Sequence, residues 1–157
     1  MNDRDLADCL AQYRAGLEAE IALLGRLEVV AARQRGETAR RDFERLGVEG
    51  EERDRLTRAL VSLEEGLQPV RARLHSARDL VAHFVGYTEV LALRQKAGAL
   101  VSRILATDEE SMQSLADAEL ARRAAVASLE QGETTLAAYR RVLTPPLGHA
   151  SLVDRRG

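Results

Sequence analysis

The hydrophobic residues of this chain recur at alternating intervals of four and three positions, the spacing that places residues on one face of an α-helix. The first such stripe begins after Asp3 and consists of Leu6, Leu10, Tyr13, Leu17, Leu24, Leu27 and Ala31. It predicts a first long helix over about residues 3–40. No segment alternates hydrophobic and polar residues at period two between turn residues, so we predict no β-sheet.

A second stripe predicts a helix over about residues 51–106, since the same spacing continues without a slip from Leu56 to Leu91. Pro69 lies inside this stripe. Because proline lacks the backbone N–H that a helix uses and crowds the preceding turn, we predict a bend or a split between Gly66 and Pro69.

A third helix is predicted over about residues 108–143, because Thr107 and Glu110 have the spacing of a capping box. Its apolar side consists of Met112, Leu115, Ala118, Ala125, Val126, Leu129, Leu136, Tyr139 and Leu143. Pro145 and Pro146 follow, and proline cannot continue a helix. Residues 144–157 are therefore expected to form a short mobile tail.

The predicted fold is all-α: an elongated antiparallel, coiled-coil-like bundle of two to three long helices, in one domain of residues 1–143. Aromatic residues make up only 3% of the chain and Trp is absent, so the core must consist of Leu, Val, Ala and Ile. Glycines interrupt the predicted helices at Gly16, Gly25, Gly66, Gly86, Gly98 and Gly132. They indicate either close helix packing or helices that part to accept a partner, and whether Gly98 breaks its helix is left open.

The charges argue against nucleic acid as a partner, because 23 basic and 25 acidic residues are interspersed and give a net charge of −2. No hydrophobic run approaches the roughly 20 residues that cross a bilayer, so we expect no membrane insertion. The single Cys9 cannot form an internal disulfide, and the N-terminus lacks the pattern of a signal peptide. We therefore expect a cytoplasmic protein.

The sharpest hint of chemistry is the spacing of His75, Asp79 and His83, which would project from about the same side of a continuous helix. Metal ligands can be arranged in this way, but no second His or Cys cluster completes the set, and packing beside the apolar stripe explains the residues more simply. Cys9 has no identifiable base near it. Since no phosphate loop, His-Glu-x-x-His motif or nucleophile elbow occurs either, we predict no enzyme, no metal and no cofactor.

Most of the chain resembles the FlgN-type flagellar export chaperones in its spacing of Leu, Glu and Arg. The first half is similar to the opening helices of that family at Leu17, Glu20, Leu24, Leu27, Glu28, Arg58, Leu63 and Glu64, with a connector at Asp42–Leu46. The second half resembles the family in Ile104–Glu110, in a helix that closes on Ala138-Tyr139-Arg140, and in the terminal Asp154–Gly157.

The resemblance implies a chaperone of flagellar type III secretion that binds the amphipathic C-terminal helix of secreted hook-associated proteins at the hook-filament junction and prevents their premature assembly. The last helix would supply the partner-binding residues, which would be Met112, Leu115, Val126, Leu129, Leu136, Tyr139 and Leu143. Tyr139 would match the family's C-terminal tyrosine that touches the export gate. Cargo identity and coverage of the surface by the tail are left open.

Two other interpretations belong to different classes of protein. The first is a structural coiled-coil scaffold, such as a stalk-type component of the flagellar export apparatus, with a homodimer as its natural form. The second is a metal-dependent helical-bundle enzyme built on His75 and His83. The oligomeric state separates the first from a chaperone, and metal content tests the second.

Overall fold

The computed structural model describes the backbone of residues 2–143 and the side chains of residues 2–124, 126–128 and 130–132. Four helices follow one another: α1 (Asp3–Arg40), α2 (Phe43–Ser76), the single turn α3 (Arg78–Val81) and α4 (Tyr87–Leu143). No strand occurs among residues 2–143. The all-α prediction is therefore confirmed, and the predicted mobile tail, residues 144–157, lies outside the described residues.

Polar residues fix both ends of α1. Asn2 forms a capping box at its start, where Asn2 Oδ1 accepts a hydrogen bond from the Asp5 amide at 2.8 Å. At its end Arg41 adopts the left-handed conformation (φ 58°), and Asp42 then caps α2 by accepting from the Arg45 amide at 3.1 Å. The connection is thus only two residues long, which makes α1 and α2 neighbours that run in opposite directions.

The ion pairs of α1 give the directions of its neighbours. Along α1, Arg26 pairs with Glu52 at 2.8 Å and Arg33 with Glu49 at 3.8 Å, so the partner numbers fall as α1 advances and α2 is antiparallel. With α4 the order is the reverse, in three pairs whose members are all 75 positions apart: Arg14–Glu89, Glu28–Arg103 and Arg35–Glu110. The helix α4 is therefore parallel to α1, and the bundle is antiparallel only between α1 and α2 and between α2 and α4.

Two clusters of buried hydrophobic side chains hold these helices together. One contains Leu6, Cys9, Leu10, Tyr13, Leu17, Leu67, Val70, Leu74, Val81 and Val90. The other contains Leu24, Leu27, Val30, Ala31, Leu56, Ala97, Leu100 and Ile104. Both draw on α1, α2 and α4, so the predicted first stripe is the central face of the bundle. Gly16 is needed for close approach, because a methyl group there would overlap the Leu67 side chain.

The helix boundaries after α1 differ from those predicted. Of the bend or split predicted between Gly66 and Pro69, the split does not occur, because α2 runs through Pro69 to Ser76. Leu67 and Val70 are both buried, and their packing offsets the lost hydrogen bond. The break lies at residues 77–86, where Gly86 has a φ of 91°. The helix predicted over 51–106 is therefore divided among α2, α3 and α4.

The predicted start of a last helix at Thr107 is wrong as well, because α4 passes through this residue and also through Gly98. Instead of capping, Thr107 Oγ1 donates to the Arg103 carbonyl one turn earlier at 3.0 Å. The helix α4 ends at Leu143, the residue that precedes the Thr-Pro-Pro sequence. A capping-box sequence can thus lie in a helix interior when the side chain bonds back to its own helix.

By its internal contacts the chain divides into unit 1 (Met1–Ser114) and unit 2 (Leu115–Gly157). Unit 1 contains α1, α2, α3 and the first part of α4, and it contains both buried clusters. The described part of unit 2 is the continuation of α4. Over residues 2–143, none of the helices combines the length and the apolarity required to cross a bilayer.

Candidate functional site

Unit 2 exposes hydrophobic side chains. None of its described side chains is buried: Leu115 is half-buried, Leu120 is 63% exposed and Val126 is 40% exposed. Single exposed leucines are ordinary, but a set on one helix face usually marks a surface that meets another protein. The arrangement of these residues around the helix therefore decides whether they form a surface.

The structure describes the side chains of three of the seven predicted partner-binding residues. Met112 lies at the end of unit 1 and is 65% exposed, whereas Leu115 and Val126 lie in unit 2. The remaining four lie on α4, but their side chains are outside the described residues: Leu129, Leu136, Tyr139 and Leu143. Met112 and Val126 are thus exposed and Leu115 is half-buried, and the assignment of these seven residues to partner binding stays a prediction.

Leu115 and Val126 share one side of α4, because 11 positions correspond to about three helical turns. Glu119 and Arg122 stand between them at intervals of four and three on the same side. We call these four residues the α4 apolar face. Leu120 does not belong to it, since five positions from Leu115 correspond to roughly 140° around the helix. In sequence the pattern continues at Leu129, Leu136 and Leu143.

The polar middle of the α4 apolar face is an ion cluster. Arg122 donates to both carboxylate oxygens of Glu119 at 2.8 Å, and Arg123 Nε donates to Oε1 at 3.0 Å. The hydrogen bonds from Arg122 and then Arg123 lower the pKa of Glu119 to about 2. The carboxylate therefore stays charged at neutral pH, and a partner that covers this face must accommodate a fixed ion pair.

Unit 1 packs the same side of α4, since Ile104 lies 11 positions, or about three helical turns, before Leu115. Its buried residues Val90, Ala97, Leu100 and Ile104 follow the spacing of a helix seam and pack against α1 and α2. The seam then continues through half-buried Thr107, Ser111 and Ser114. Ser111 Oγ donates to the Thr107 carbonyl at 3.1 Å, so these hydroxyls bond to their own helix rather than to a neighbour.

Outside that seam, unit 1 leaves four large hydrophobic residues of α4 exposed: Leu91 by 36%, Val101 by 39%, Leu105 by 61% and Met112 by 65%. The last three precede Leu115 in the same alternation of four and three. The change from Leu100 and Ile104 to Thr107 and Ser111 was the available signal that the buried seam weakens there.

The geometry assumed for His75, Asp79 and His83 is not present. His75 lies at the end of α2, Asp79 in α3 and His83 in the following turn, so they do not belong to one continuous helix. Within the described residues, no group of three His, Cys, Asp or Glu side chains could hold a metal ion. Cys9 is 2% exposed and belongs to the core of unit 1.

Comparison with known proteins gives no relative: no family model, no curated protein and no solved structure matches this chain.

Proposed function

We propose that this protein binds an amphipathic helix of another protein along the α4 apolar face. The observation that carries the proposal is that half-buried Leu115 and exposed Val126 lie on one side of a helix, in a unit with no buried side chain among those described. A helix with such a side gains by covering it, since each fully buried Leu or Val contributes about 1.5–3 kcal/mol. A partner helix with apolar residues at intervals of three and four has the matching geometry.

We further propose that the partner is the C-terminal helix of a secreted hook-associated protein, so that the chain acts as a flagellar export chaperone rather than as an enzyme. The support is the resemblance to FlgN-type chaperones, together with an accessible helix face of the kind that this activity requires. In this function Tyr139 meets the export gate, and the chaperone acts in the cytoplasm before secretion.

The proposal is tested by calorimetric titration of the full chain with a peptide of the C-terminal helix of a junction protein. Val126→Glu places an unpaired charge on the α4 apolar face and should weaken binding by at least about tenfold, or about 1.4 kcal/mol. Leu120→Glu is the matched control, because Leu120 is exposed in the same unit but faces another side. Equal affinities for wild type and Val126→Glu, at equal helicity, would contradict the proposed surface.

A homodimeric coiled-coil scaffold is the alternative that the same spacing favours, because a second copy of α4 could cover the face as well as a partner can. Sedimentation equilibrium of the full chain distinguishes the two. A dimer that resists dilution, is disrupted by Val126→Glu and does not bind the junction-protein peptide would support the scaffold. A monomer that binds the peptide would support the chaperone.

A further inference from the structure

We propose that unit 1 contains a binding pocket for a small amphiphilic carboxylate, separate from the α4 apolar face. The pocket is a cavity of about 220 Å³ among the four helices. Its inner wall is apolar and buried, and it is formed by Leu10 and Tyr13 of α1, Leu74 of α2, Val81 of α3 and Val90 of α4. The break after α2 creates this space, because residues 77–86 turn the chain instead of continuing the helix.

Apart from two tyrosines, the ionisable side chains that line the cavity are basic. Arg71, Arg78, Arg94 and His75 line it, and no Asp or Glu does. Glu64 offsets the charge of Arg71, and Asp79 lies 3.7 Å from Arg78, so the positive potential at the rim comes mainly from Arg94. The low-dielectric wall screens this potential less than water would. An anion is therefore favoured at the rim.

Two of these rim groups are available to a ligand. Within the described part of the chain, Arg94 and His75 have no hydrogen bond or ion pair, and Arg78 meets only its neighbour Asp79 at 3.7 Å. Arg71 is held in place, since it donates to Glu64 at 2.7 Å. The rim thus combines one anchored guanidinium with groups that can turn toward an incoming anion.

The size and polarity of the cavity define the ligand class. An apolar cavity of about 150 Å³ is known to bind benzene, so this one has room for a phenyl ring or a short alkyl chain. A carboxylate attached to such a group would lie at the rim, where arginine can bind it through two parallel hydrogen bonds. The phenol groups of Tyr13 and Tyr87, which also line the cavity, add donors at the boundary between its apolar and charged parts.

The test titrates the full chain with phenylbutyrate and follows backbone amide resonances by NMR. We expect shifts concentrated at Leu74, Val81 and Val90, with a dissociation constant of about 1 mM for a ligand of this size. Phenylbutanol, which has the same apolar body without the charge, should bind about tenfold more weakly. Absence of binding by phenylbutyrate, equal binding of the alcohol, or shifts centred elsewhere would overturn the proposal.

A pair of variants tests the role of the arginines without disturbing the core. Arg94→Gln should weaken phenylbutyrate binding about fivefold and leave phenylbutanol binding unchanged. Arg58→Gln is the matched control, because Arg58 is an exposed arginine of α2 without a partner in the described residues and away from the cavity. If both variants weakened binding equally, the attraction would be a property of general surface charge and the assigned pocket would be wrong.

Discussion

The two parts of α4 differ in what their hydrophobic residues contact. In unit 1, Val90, Leu100 and Ile104 are buried against α1 and α2. In unit 2 the hydrophobic residues Leu115 and Val126 stay accessible. Both parts are helical, so local propensity does not separate them. What separates them among the described residues is burial: the first part packs against α1 and α2, whereas no described side chain of the second is buried. An apolar helix side that stays accessible is where binding can take place.

The largest expected effect tests the packed side of this comparison. Leu24 is 2% exposed in the second cluster, so Leu24→Ala should lower the free energy of unfolding by about 2–5 kcal/mol through lost burial and a cavity. Leu120→Ala in unit 2 should change it by no more than about 0.5 kcal/mol. Urea unfolding followed by circular dichroism measures both changes. Similar losses of unfolding free energy in the two variants would show that the two parts are packed alike.

Close packing within unit 1 predicts that alanine substitutions at two glycines of α1 change the stability in opposite directions. Gly16→Ala should destabilise by about 1 kcal/mol, because overpacking against Leu67 exceeds the gain in helix propensity. Gly25→Ala meets nothing within 4 Å and should stabilise by up to about 1 kcal/mol. Thermal unfolding of the two variants gives the result, and stabilisation by both would show that α1 and α2 do not approach closely at Gly16.

A polar contact at the weakening end of the seam has a smaller expected effect. Arg53 donates two hydrogen bonds to Asp108 at 2.7 and 2.5 Å and one to Gln34 at 2.8 Å, and the bonds to Asp108 raise the pKa of Arg53. Asp108→Asn should lower the free energy of unfolding by about 1 kcal/mol, since a half-buried bidentate ion pair stabilises the fold more than a fully exposed one. Chemical denaturation checks this value. Glu65→Gln, at an exposed carboxylate of α2 without a partner in the described residues, should change the free energy of unfolding by no more than about 0.5 kcal/mol.

The smallest effect concerns the ion cluster of unit 2. The pKa of Glu119 in the folded chain is lowered from 4.5 to about 2. The ionised carboxylate therefore stabilises the folded chain above pH 4.5, and this contribution is lost as the pH falls through about 2. Arg122→Gln should move the pKa back toward 4.5, since Arg122 is the largest cause of the shift. NMR titration of the Glu119 side-chain carboxyl carbon in both proteins measures it. An unchanged pKa in the variant would show that Arg122 does not hold the carboxylate.

Periodicity predicted the helical content and the buried face of α1, because a long stripe such as Leu6 to Leu27 has one interpretation in a helical chain. It misplaced the later boundaries for two physical reasons. Packing of Leu67 and Val70 preserves the helix through Pro69, and the real break near Gly86 depends on a positive φ that a stripe of hydrophobic residues does not report.

The sequence alone predicts the candidate surface only in part. The spacing indicates that Met112, Leu115 and Val126 share a side, but whether neighbours cover that side depends on the tertiary contacts of each helix. Conversely, the cavity beside Arg94 could not be predicted, because its lining comes from all four helices and from the unforeseen break between α2 and α4.

Amide hydrogen exchange of the full chain, alone and with the junction-protein helix peptide, tests the central claim most directly. In the free protein, the amides of residues 97–104 should exchange slowly and those of 115–132 much faster, because only the former belong to a packed seam. Addition of the peptide should slow exchange in residues 115–132 and leave 97–104 unchanged. Equal protection of the two segments in the free monomer, or protection by the peptide only outside 115–132, would contradict an open helix face that a partner helix covers.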